Sequence, residues 1–178
     1  MAKTSELEAA YRATTYRVYL PGGQCDLRPG VASEALRCWL ETAGAACFAV
    51  LTASNPASVP LDNEENSRRQ SQLECELLES GYETYAGENV ADDAAWPAEE
   101  SCFVPGITRA EAMTLGGKHG QNAVVCGGAD GVPELVWLAN AAATEPGGSP
   151  EPITRDATTS SYRPGRSCRT RYRGSSCA

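Results

Sequence analysis

Apolar and polar positions along the chain follow two rhythms. In four segments the apolar residues recur at helical spacing, and each segment opens on a residue that can cap a helix. Ser5–Glu8, SELE, has the spacing of a capping box, and Leu7, Ala10 and Tyr11 follow along one face. Ser33 opens a second helix, with Leu36, Trp39, Leu40 and Ala43 on its inner face and Gly44 as its stop. Asp62 opens a third, with Glu65 as the reciprocal capping partner. Its inner face is read as Leu73, Leu77 and Leu78, and its stop as Gly81. Thr108 opens the fourth, again with an acid, Glu111, at the third helical position. Met113 faces inward there, and the glycine-rich run LGGKHG ends at Gly120.

The other rhythm is that of strands. Tyr16–Leu20, Cys102–Pro105, Ala123–Cys126 and Leu135–Leu138 are short apolar or β-prone runs, and Tyr82–Tyr85 is a short exposed one. Cys47–Ala53 is almost unbroken in its apolarity, which predicts a central strand covered on both faces. The turn GGADGVP joins the last two strands as a hairpin. Gly87–Glu100 reads as a long acidic loop anchored by Trp96. Interleaved helices and strands predict a single α+β (mixed α/β) domain, helices packed on a mixed sheet of about five to six strands. That domain takes residues 1–144. Beyond it, residues 145–178 are rich in Gly, Pro, Ser, Thr and Arg and poor in aliphatic side chains. Such a tail buries too little to offset its ordering entropy and is expected to be disordered.

Composition narrows the function classes. The 178 residues carry a formal charge of -8, unevenly spread. Residues 1–150 hold 9 Lys and Arg against 21 Asp and Glu, a balance of −12, whereas residues 151–178 hold 6 Arg against 2 acids. An acidic body repels nucleic-acid phosphate, so RNA or DNA could be held only by the tail, whose YRPGRSCRTRYRG mixes Arg with Tyr. No run reaches the ~18–20 apolar residues of a membrane span, and the first residues lack a signal-peptide core, so a cytoplasmic protein with no membrane partner is expected. The eight cysteines include Cys47, Cys102 and Cys126 in strand-like runs and Cys38 and Cys75 in helical patterns, all read as small buried hydrophobes. There is one histidine and no ligand spacing, so neither a metal nor a cofactor is implied.

The polar residues that stand out lie where the central strand gives way to the third helix, in LTASNPASVPLDNEENSRRQ. Ligands of open α/β sheets gather beyond such strand ends. Asn55 precedes Pro56, which predicts an extended backbone, and its amide can donate and accept at once. Asn66 and Arg69 share one helix face, and the Arg69 fork suits a carboxylate or phosphate. After the fourth helix, Gly116, Gly117 and Gly120 allow close backbone approach, and Gln121 and Asn122 lead into a strand. The expectation is a ligand-binding surface built from Asn55, Asn66, Arg69, Gln121 and Asn122, taking a small polar or anionic molecule or a protein partner. The plain alternative is that Asn55 and Ser58 satisfy turn amides and Arg69 bridges Glu65 or Glu100. A rival class is an enzyme acting on a phosphate- or carboxylate-bearing molecule. Its catalytic residues are not identified by sequence. His119 at a helix end and the adjacent pairs Glu99–Glu100 and Glu64–Glu65 have structural explanations.

Several of these motifs resemble an uncharacterised, mainly bacterial family catalogued as domain of unknown function 3293. The resembling pieces are TTYRV, LTASNPASVPLDNEENSRRQSQLECELLESG, YAGEN, EESCFVPGI, TRAEAMTLGGKHGQNAVV and DGVPELV, in family order over about residues 5–138. His119 stands where such sequences usually carry Phe, and Gly117 where a basic residue is common. The resemblance implies a fold and a motif and brings no activity with it.

Overall fold

A computed structural model describes residues 2–138 of the protein. Four helices are present: α1 (Ala2–Ala13), α2 (Glu34–Ala43), α3 (Asn63–Glu79) and α4 (Arg109–Lys118). Seven strands make one sheet: β1 (Thr15–Leu20), β2 (Gly23–Leu27), β3 (Cys47–Leu51), β4 (Tyr85–Val90), β5 (Glu99–Pro105), β6 (Ala123–Gly128) and β7 (Pro133–Trp137). Their order is β2-β1-β4-β5-β3-β6-β7. The fold class is α+β, as the interleaved pattern predicts. The sheet has seven strands rather than five to six, and every ladder is antiparallel rather than mixed. The additional strand is β2, GQCDL, whose residues lack the β-branched signature. Its pairing with β1, from Tyr16 opposite Leu27 to Leu20 opposite Gly23, supplies what its own propensity does not.

The caps work largely as the sequence predicts. Ser33 accepts a hydrogen bond from the Leu36 amide, and Gly44 leaves α2 at φ 69. Thr108 and Glu111 cap α4 reciprocally. Asp62 caps α3 by accepting from the Glu65 amide, but the Glu65 carboxylate turns away to Arg68, at 2.7 and 2.8 Å. α1 starts before Ser5, so the SELE serine lies inside the helix.

Two apolar layers sandwich the sheet. On one face α3 and α4 pack Leu73, Leu77 and Ala112 against Ala49, Leu51, Cys102, Val104 and Val124. On the other, α2 packs Leu36 and Leu40 against Val18, Phe48, Val50 and Phe103. β3 contributes to both layers, as its unbroken apolarity predicts. Leu78, read as inward-facing, is 59% exposed, because Leu77 takes the inward position and the next residue turns about 100° away. Cys38 and Cys75 are likewise exposed, each two positions from an inward leucine and so on the outer helix face. Cys25, Cys102 and Cys126 are buried, and burial pushes the Cys102 thiol to about 12 and the Cys126 thiol to about 11. Tyr85, predicted to end a strand, begins β4, and both ends of the predicted acidic loop, residues 87–90 and 99–100, are strand. Only residues 91–98 connect β4 to β5. No helix among the described residues is long and apolar enough to cross a membrane. The tail expectations fall on residues 145–178, outside those described.

Candidate functional site

The carboxyl end of β3 is where the sheet stops and the polar residues concentrate. The chain leaves β3 through Thr52–Leu61 and enters α3. Asn55 has φ 43 and ψ 61, not the extended backbone that its proline neighbour predicts. The proline clash penalises the right-handed helical region but leaves the left-handed one open, and asparagine tolerates it. Ala57 (φ 54) and Ser58 (φ 58) share that conformation, so three strained non-glycine residues fall within four positions. Each costs on the order of 1–3 kcal/mol, which the surroundings must offset.

The offset is a hydrogen-bond network made by the residues singled out from sequence. The Asn55 amide donates to Asn66 Oδ1 at 2.9 Å. Asn55 Oδ1 accepts from the Leu61 amide at 2.8 Å and from Asn66 Nδ2 at 2.9 Å. Arg69 donates from Nε to the Ala53 carbonyl and from Nη2 to the His119 carbonyl, at 2.9 and 2.8 Å. Gln121 Nε2 donates to the Ser54 carbonyl at 2.9 Å, and Asn122 Nδ2 donates to Ser58 Oγ at 2.9 Å. The two segments meet at one end of the sheet, but these side chains bond to the protein's own groups. Arg69 bridges neither Glu65 nor Glu100. It ties the end of β3 to the end of α4. The glycines assist: a Cβ on Gly116 would lie 2.4 Å from Val124, and Gly120 passes close to Pro56. His119 is buried, with Nε2 3.3 Å from Glu76 Oε2 between α3 and α4.

Behind this network lies a cavity of ≈ 340 Å³. It sits at the same end of the sheet, roofed by α1 through Leu7, Ala10 and Tyr11, with Thr14 just after the helix. Its floor is apolar, with Val50, Ala123, Val125 and Leu135. Tyr11 holds the roof: its Oη and Ser58 Oγ are 3.0 Å apart, its carbonyl accepts from Tyr16 Oη at 3.1 Å, and its ring lies 5.3 Å from that of Trp137. Gln121 is the one predicted site residue in the wall; the others stand behind it.

Sequence reasoning passed over the wall's central group. Glu99 lines the cavity, and its Oε1 accepts from Asn55 Nδ2 at 2.6 Å and from Trp96 Nε1 at 3.0 Å. Burial pushes its carboxyl above the usual range against those two donors. The signal was period-two alternation: Glu99, Ser101 and Phe103 face one side of β5, Glu100 and Cys102 the other. Tyr16 and Asn89 complete the row. Tyr16 lies opposite Asn89, and Asn89 opposite Glu99. Burial raises the Tyr16 phenol above its ordinary value, so it is a neutral hydroxyl.

The segment that builds this junction also places the protein among known sequences. Residues 51–124 match the family described as Protein of unknown function (DUF3293). The match begins at the last residue of β3, takes in α3, β4, β5 and α4, and ends at the second residue of β6. No curated protein and no solved structure matches the chain.

Proposed function

We propose that the protein binds a small molecule in the cavity beneath α1. The observation that carries this is a mostly apolar space of ≈ 340 Å³ with a half-buried carboxyl, Glu99, in its wall. Small-molecule sites have this character: volumes from about 300 Å³, apolar walls and a few converging polar groups. Strain in the Asn55–Ser58 loop supports the same location, since strained backbone concentrates at ligand sites. In this proposal Asn55 orients Glu99, Asn66 holds Asn55, Arg69 and Asn122 hold the loop, and Gln121 stands in the wall. A cytoplasmic setting belongs to the proposal, and the free thiols of the six described cysteines support it.

One observation favours an enzyme as the second reading. A carboxyl with a raised pKa inside a cavity is suited to move protons.

A thermal-shift screen of metabolites on wild type and Ala123→Leu tests the first reading. Ala123 lines the floor and is 7% exposed, so leucine there fills the space. A ligand at about 100 times its Kd stabilises the fold by about 2.7 kcal/mol. The expected result is a stabilising compound whose effect disappears in a folded Ala123→Leu. Compounds that stabilise both proteins equally contradict the proposal.

A further inference from the structure

The wall of the cavity restricts what can occupy it. Among its described lining residues the charged side chains are Asp93 and Glu99, both carboxylates, with no Lys or Arg. An anion would meet negative charge with no counter-charge. Tyr11, Tyr16 and Trp96 add three aromatic rings, whose faces attract cations.

The row across β1, β4 and β5 sharpens this. Directly opposed residues stand about 5 Å apart at Cβ, so Tyr16, Asn89 and Glu99 present their side chains side by side. Each has acceptor capacity to spare. Tyr16 Oη donates its one hydrogen to the Tyr11 carbonyl, which leaves its lone pairs. Both donors to Glu99 fall on Oε1, and Oε2 has no partner among the described residues. Asn89 is 9% exposed, and its Oδ1 is buried with no hydrogen-bond partner among the described residues. Folded proteins rarely leave such a buried acceptor unpaired without a reason.

We infer that the cavity takes an organic amine in its ammonium form, with Glu99, Asn89 and Tyr16 receiving the head group. This rests on the cavity being a ligand site. An ammonium brings three donors and no acceptor to a wall with three acceptors, and the contact with Glu99 is charge-assisted. The apolar body lies against Val50, Val125 and Leu135.

Phenethylamine, 2-phenylethanol and phenylacetate share one apolar body and differ in the charge of the head. Each is titrated into the full chain near neutral pH, where an alkylamine is protonated, and followed by protein NMR shifts. The amine is expected to bind at least about tenfold tighter than the alcohol, with phenylacetate weakest. In Glu99→Gln, checked for folding by circular dichroism, that preference falls to within about threefold. If Glu99→Gln does not fold, Asn89→Leu carries the test with the same expected loss of preference. Alcohol binding as tight as the amine, or an amine preference intact in the folded variant, overturns the ammonium inference and leaves the cavity reading standing. No binding by any of the three overturns both.

Discussion

Replacing Asn55 with alanine removes the centre of the junction, and the cost can be worked from its bonds. The residue is 6% exposed. Its side chain accepts from the Leu61 amide and from Asn66 Nδ2, and donates to Glu99. Alanine removes all three bonds, each partner costing about 1–3 kcal/mol if left unpaired; Glu99 still holds Trp96 Nε1 as a donor, and Asn66 Nδ2 keeps the Leu61 carbonyl at 3.3 Å. It must also adopt φ 43, which costs a non-glycine residue about 1–2 kcal/mol. Asparagine bears part of that strain already, and water reaches part of the loop, so the loss expected for Asn55→Ala is about 3–5 kcal/mol. Asn55→Gly loses the same bonds without the steric strain, so it should lose about 1 kcal/mol less. Asn55→Asp keeps the acceptor but sets a second carboxylate against Glu99, and should recover stability as the pH falls and the pair shares a proton. Urea unfolding followed by tryptophan fluorescence measures all three. A loss under about 1 kcal/mol for Asn55→Ala, or glycine worse than alanine, refutes the network as the support of the loop.

Further expectations concern the rest of the fold. Glu99→Gln flattens one pH dependence. Burial raises the folded carboxyl above its ordinary 4.5, so the folded chain keeps this proton longer than the unfolded one. The resulting stability is fully present below about pH 4.5 and is lost as pH rises through the folded value. Unfolding free energies of wild type and Glu99→Gln against pH should therefore differ by a curve that falls over that window, and parallel curves contradict the assignment. Gly127→Ala places a methyl 2.4 Å from the Phe48 ring and 2.6 Å from the Val132 carbonyl. This overpacking should cost about 1–3 kcal/mol, read as a lowered Tm, and an unchanged Tm contradicts the packing. Alkylation mapped by peptide mass spectrometry should label exposed Cys38 and Cys75 in the native protein and buried Cys102 and Cys126 only on unfolding. Equal labelling contradicts the burial.

What sequence made legible was local. α2 and α4 announce themselves because cap, apolar spacing and glycine stop agree, and β3 because its apolarity is continuous. The limits are equally physical. β2 and the stretch Gly87–Asn89 of β4 lack β-forming residues and exist through their partners; a Cβ on Gly87 would lie 2.7 Å from the Arg17 carbonyl. The meeting of Asn55, Arg69 and Gln121 at one sheet end follows from the strand-end argument, but whether their donors turn to a ligand or to backbone depends on distances no spacing encodes. The cavity was not legible at all, because α1 reaches it by packing rather than by sequence proximity. Glu99 was within reach: extending β5 back from Cys102 by three residues puts Glu99 on the face of Phe103 and Glu100 on that of Cys102.

Xenon is a charge-blind occupant of apolar cavities and tests the space beneath α1 independently of ligand chemistry. Methyl NMR spectra of the full chain under xenon pressure should show shifts concentrated at Leu7, Val50, Val125 and Leu135, and those shifts should vanish in Ala123→Leu. If those methyls stay still, or if the shifts appear instead at exposed Val31 and Leu78, α1 lies closed against the sheet and there is no room there for a ligand.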